Sequence, residues 1–105
     1  MAEKFNLNDT VQFQTSSVVS RVLMGGKGHN GTVTTFAFSK GEGLSEHSAP
    51  FDALVINLEG KGIVSISGKP FHLEAGEAIV MPAGEPHAVV ADTDFKMLLI
   101  MIRKP

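Results

Sequence analysis

The sequence predicts an all-β protein built as a closed barrel or jelly roll. Three observations carry that prediction. Short segments rich in β-branched and aromatic residues recur along the chain, glycine-bearing turns separate them, and no segment sustains the apolar spacing of an amphipathic helix. Closing or doubling a sheet is how many short strands avoid leaving long unpaired edges.

The elements follow in order. Residues 1–16 are polar with scattered apolar positions and read as an N-terminal arm or a short edge strand. Residues 17–24 are rich in valine and end at Gly25-Gly26-Lys27-Gly28-His29-Asn30-Gly31, a segment built to bend, after which residues 32–38 return as a second strand. Gly41-Glu42-Gly43 closes that strand. A short stretch around His47 and Pro50 leads into strands at 53–58 and 63–66, with turns at Glu59-Gly60-Lys61-Gly62 and Ser67-Gly68-Lys69-Pro70. Residues 71–73, 78–81, 87–91 and 95–102 supply the remaining strands, for eight or nine in all.

In residues 53–58 and in the last strand, apolar side chains occupy both alternating faces, so both faces require cover. A second copy packed across a two-fold axis would supply it, which predicts a homodimer. The arm lying on that face within one chain is the alternative.

Composition narrows the function. A chain of 105 residues suits a single domain spanning 1–105, and 43% hydrophobic against 19% charged residues is ordinary for a folded globular protein. Nine Lys and Arg against eleven Asp and Glu give a net charge of −2 with no basic cluster to neutralise a run of phosphates, so nucleic acid is not an expected partner. The absence of cysteine excludes disulfides, thiolate metal sites and cysteine nucleophiles. No apolar run is long enough for a membrane helix, and the opening residues do not read as a secretory signal, so no membrane partner and a cytoplasmic location are expected.

Two spaced motifs carry the chemistry. Gly41-x5-His47-x-Ala49-x3-Ala53-x6-Gly60 resembles the first cupin motif, G(X)5HXH(X)3,4E(X)6G, in both glycines and the first histidine. Gly76-x5-Pro82-x-Gly84-x2-His87-x3-Ala91 resembles the second, G(X)5PXG(X)2H(X)3N, at every position but the last. The motifs span residues 41–60 and 76–91. The resemblance implies a cupin barrel, a double-stranded β-helix, with a divalent metal held inside by two histidines and a glutamate from motif one and a histidine from motif two. Of that set, this chain keeps His47 and His87, while Ala49 and Ala53 stand where a histidine and the glutamate belong.

His47 and His87 are therefore the candidate catalytic and metal-binding residues. Asp52 is the best candidate for a third ligand, provided that a bulge or bend at Pro50 turns it inward. Two states stand side by side: a divalent metal (iron, nickel, manganese, zinc or copper) completed by water, and a metal-free pair. His72 and His29 are expected to face solvent. The resemblance further implies a pocket for a small organic ligand, with Phe36, Phe38, Ala49, Phe51, Ala53, Met81 and Phe95 as candidate walls. An enzyme and a non-catalytic binding or sensing module both fit, since a barrel of this kind does not fix its chemistry.

Overall fold

The computed structural model describes residues 2–103; Met1, Lys104 and Pro105, which complete the expected 1–105 domain, lie outside the described residues. Among the described residues nine strands form: β1 (Val18–Gly25), β2 (Gly31–Phe38), β3 (Gly43–His47), β4 (Phe51–Glu59), β5 (Gly62–Ile66), β6 (Lys69–Leu73), β7 (Ala78–Met81), β8 (His87–Ala91) and β9 (Phe95–Arg103). They make two antiparallel sheets, one in the order β1-β2-β9-β4-β7 and the other β3-β8-β5-β6. The fold is all-β, two sheets closed into a jelly-roll barrel.

Period-two alternation decides what lies between the sheets. On β4, Ala53, Val55 and Asn57 are buried while their neighbours are less so, and on β9 Phe95, Met97 and Leu99 point the same way. Phe38 and Phe95, neither exposed to any degree, stack 5.7 Å apart and fill one end of the barrel. The same end is pinned by Asn57, whose buried amide donates to the carbonyls of Gly60 (2.8 Å) and Leu73 (2.9 Å). Gly60 sits there at φ +80°, and a Cβ on it would collide with the carbonyl of Asp94.

The segment before β1 is an arm and contains no strand. It has one turn of 3-10 helix (Leu7–Thr10), capped by the Asn6 side chain, which accepts from the Asn8 N–H at 3.0 Å. The arm lies on the outer face of the five-stranded sheet. Val11 is buried there, the Thr10 hydroxyl meets that of Thr35 at 2.8 Å, and the buried Lys96 ammonium donates to the Asn8 carbonyl at 2.7 Å while lying 5.1 Å from the centre of the Phe13 ring. Part of the cover that the apolar outer face requires thus comes from the same chain.

The rest of that face is bare. Met24, Val33, Ile100, Leu54 and Val80 are successive register partners across β1, β2, β9, β4 and β7, so they stand in one apolar row crossing the whole sheet. Met24 and Val80 at the two ends of the row are 67% and 62% exposed, as is Ile102 nearby at 62%.

Candidate functional site

At the end of the barrel opposite the stacked phenylalanines, β3 runs antiparallel to β8 with His47 directly across from His87. The sequence showed the histidine spacing but not the strand. Ser-Glu-His-Ser offers no apolar alternation, and Gly43 reads as a turn residue yet begins β3. It lies so close to β8 that a Cβ would collide with the Val89 carbonyl.

A register shift between Leu44 and His47 is what aims the site. Residues three apart in a regular strand face opposite sides; the irregularity brings both to one cavity, with Leu44 half-buried and His47 exposed at its rim. On β8 no bulge is needed, because His87 and Val89 are two apart and share a face.

The two imidazole rings meet edge to face, with centroids 4.4 Å apart. His47 Nδ1 donates to the Ser45 carbonyl at 2.9 Å, and His87 Nδ1 to the Glu85 carbonyl at a longer 3.3 Å. A carbonyl oxygen can only accept, so in both rings the hydrogen resides on Nδ1 and Nε2 keeps its lone pair. Each ring is tethered in the same way, through the carbonyl two residues before it.

Ala49, Phe51, Ala53, Met81, Val89, Met97, Leu99 and Met101 complete an otherwise apolar wall. The enclosed volume is about 40 Å³, enough for a little water and far short of the roughly 300 Å³ or more of a drug-sized site. Burial and the nearby charge of His47 push the His87 pKa below its ordinary value, partly opposed by the hydrogen bond to the Glu85 carbonyl. The shift favours the neutral ring, the state in which Nε2 can accept a proton or a metal.

Four of the expected wall residues, Ala49, Phe51, Ala53 and Met81, line this cavity, and three do not. Phe38 and Phe95 belong to the stack at the closed end, and Phe36 stacks on Phe38 at 5.6 Å, because β2 carries its aromatic residues at the end remote from the histidines. Leu44, Val89, Met97, Leu99 and Met101 were missed. For Val89 and for the alternate residues of β9, period-two counting from His87 and Phe95 was the available signal.

Asp52 does not join the histidines. It pairs with Ile102 on the outward side of β4, no bulge intervenes, and its carboxylate accepts from the Ala83 N–H at 2.9 Å. Together with the bond from the Gly84 N–H to the Ala49 carbonyl, also 2.9 Å, it braces the Pro82 to Gly84 loop against the mouth. Among the described residues no cluster of three or more His, Cys, Asp or Glu side chains forms. His72 and His29 are exposed, on β6 and in the β1–β2 loop.

A two-sheet β-barrel with histidines from two spaced motifs at its mouth defines a class, and comparison with known proteins gives the family. Residues 34–103 match the cupin domain family model, and the chain belongs to the cupin family. It is 32% identical to a conserved protein of Streptococcus pyogenes, covering 100% of this chain and 90% of that one with a TM-score of 0.92. It is 46% identical to a cupin 2 conserved barrel domain protein from Leptotrichia buccalis, covering 94% of this chain but 47% of the other, with a TM-score of 0.88. A cupin superfamily protein from Desulfitobacterium hafniense, 23% identical with coverage of 99% and 94%, shares the fold at a TM-score of 0.90. No curated protein matches the chain.

The electrostatics of the pair have a pH signature. With its folded pKa depressed, His87 favours the folded state fully above the unfolded value of about 6.5 and loses that contribution as pH falls from there through the folded value. An NMR titration of the metal-free protein should show the His87 ring titrating below the ordinary histidine range. In His47→Ala its midpoint should move upward; an unchanged midpoint would mean that His47 exerts no charge on it.

Proposed function

We propose that the mouth of the barrel is a binding site for a small ligand, in which His47 and His87 hold a weakly bound divalent metal whose remaining positions are taken by water or by the ligand. The observation that carries this is the matched tethering of the two rings, which leaves two Nε2 lone pairs at one apolar cavity. The ring centroids lie 4.4 Å apart, so both imidazoles would be within reach of one ion at the mouth. The cupin relationship points the same way, since His47 and His87 occupy ligand positions of the family motifs.

Such an ion would supply Lewis acidity to a bound oxygen atom. The chain's own contribution is to fix two imidazoles, line the space beside them with Leu44, Met81, Val89 and Met97, and leave alanine where bulkier ligating residues stand in the motif. Two protein ligands favour easy exchange of the metal. The depressed pKa of His87 also suits a metal-free site, where its Nε2 would take a proton from a bound ligand near neutral pH, as a catalyst or as a pH-sensitive binder.

Titration of chelator-treated protein with nickel and zinc separates these readings. Wild type should bind one ion per chain, His47→Ala and His87→Ala should each weaken binding by about tenfold or more, and Ala49→His should strengthen it, because Ala49 lines the cavity. Equal affinity across wild type and both alanine variants would overturn the metal site and leave the metal-free site.

The apolar row across the outer sheet is proposed to pair with the same row of a second copy, since the arm covers only the neighbouring part of that face. Light scattering should give a dimer for wild type. For Met24→Glu combined with Val80→Glu, two exposed positions, it should give the 11.2 kDa monomer. A monomeric wild type at micromolar concentration would contradict the pairing.

A further inference from the structure

A second, larger cavity adjoins the histidine site, and the geometry points to it as the seat of a carboxylate carried by the ligand. It lies between the β1–β2 loop and the end of β9 and has a volume of about 470 Å³, within the size range of small-molecule sites. Phe51 is a wall of both cavities. The histidine cavity, at about 40 Å³, holds little more than the coordinating end of a molecule; the body needs the space next to it.

The lining is cationic in a chain whose net charge is −2. Lys27 and Arg103 contribute to it, and no Asp or Glu does. Neither Lys27 nor Arg103 forms a salt bridge among the described residues, where the ion pairs are Lys61 with Glu74 and Lys96 with Glu59. The guanidinium of Arg103 lies over the Phe51 ring, 6.0 Å from its centre, which places a fork of N–H donors along the shared wall.

A further feature of the cavity lacks partners. At the loop tip the N–H groups of Lys27 and Gly28 make no backbone hydrogen bond among the described residues, while Gly26 N–H to Gly31 and His29 N–H to Gly26 hold the loop's shape at 3.0 and 2.9 Å. The Arg103 N–H donates to the Asn30 carbonyl at 2.8 Å and ties the loop to β9. Cations without an ion pair and backbone N–H groups without a backbone partner among the described residues, around one space, are the complement of a carboxylate, which only accepts hydrogen bonds.

The ligand class is thus a small organic acid bound as its anion, with the carboxylate between Lys27 and Arg103, an apolar body along Phe51, and a polar group reaching His47 and His87. What the far end touches rests on the proposed reading of the histidine cavity. The anion seat is tested without it.

Metal-free, 15N-labelled protein is titrated with benzoate and with its neutral isostere benzamide, and separately with inorganic phosphate. Benzoate should shift the amides of Lys27, Gly28, Thr32 and Arg103 and bind about tenfold or more tightly than benzamide; Lys27→Gln and Arg103→Gln should each erase most of that preference while keeping a dispersed, folded spectrum. Nickel binding by the same two variants should match wild type, so loss of the metal site and loss of the anion seat are read separately. Equal binding of benzoate and benzamide, no shift at high millimolar benzoate, or wild-type preference in both variants would overturn the inference. A response to phosphate without one to benzoate would also overturn it, assigning the space to a phosphoryl group.

Discussion

The site depends on the pairing of β3 with β8. Neither histidine is held by a deep network; each is aimed by the strand that carries it and by one hydrogen bond to the carbonyl two residues upstream. Antiparallel register puts the two rings opposite one another, the irregularity between Leu44 and His47 brings the first to the cavity, and Gly43 lets the strands approach where a side chain would strike the Val89 carbonyl. The loop ahead of β8 is braced from β4 by the Asp52 carboxylate and from the β3–β4 connection by the Ala49 carbonyl, so four segments converge on the mouth.

That construction accounts for the division of labour along the chain. The end of the barrel remote from the histidines is filled by Phe38 and Phe95, with Asn57 tying its loops together, and contributes rigidity. The histidine end carries smaller and more flexible walls, two alanines and three methionines among them, and opens toward a cationic space under the β1–β2 loop. The outer face of the larger sheet is divided between the arm, anchored on the buried Lys96, and an apolar row still open to contact.

Much of this was legible in the sequence. The recurrence of short β-rich segments gave the fold class, and the spacing of Gly41, His47 and Gly60 and of Gly76, Pro82, Gly84 and His87 gave the family and the two residues that meet. What escaped has a physical reason in each case. β3 was hidden because it is polar and bulged, so its inward residues do not alternate. Phe36, Phe38 and Phe95 were misplaced because sequence proximity to a motif does not say which end of an antiparallel strand is near it; Phe38 pairs with Phe95 at the far end. Strand parity disfavoured Asp52 as a ligand, and its bond to the Ala83 N–H gives it a bracing role instead. The cationic cavity joins a loop near residue 27 to Arg103, a juxtaposition that only the β2–β9 pairing creates.

The central claim is that the backbone presets both rings as Nδ1–H tautomers, offering two Nε2 lone pairs to one cavity. Long-range 1H–15N spectra of the imidazoles in metal-free protein, recorded above the ordinary histidine pKa, read this directly. The structure predicts that His47 and His87 both show a protonated Nδ1 and an unprotonated Nε2. A neutral ring protonated at Nε2, or one averaging between the two tautomers, contradicts it.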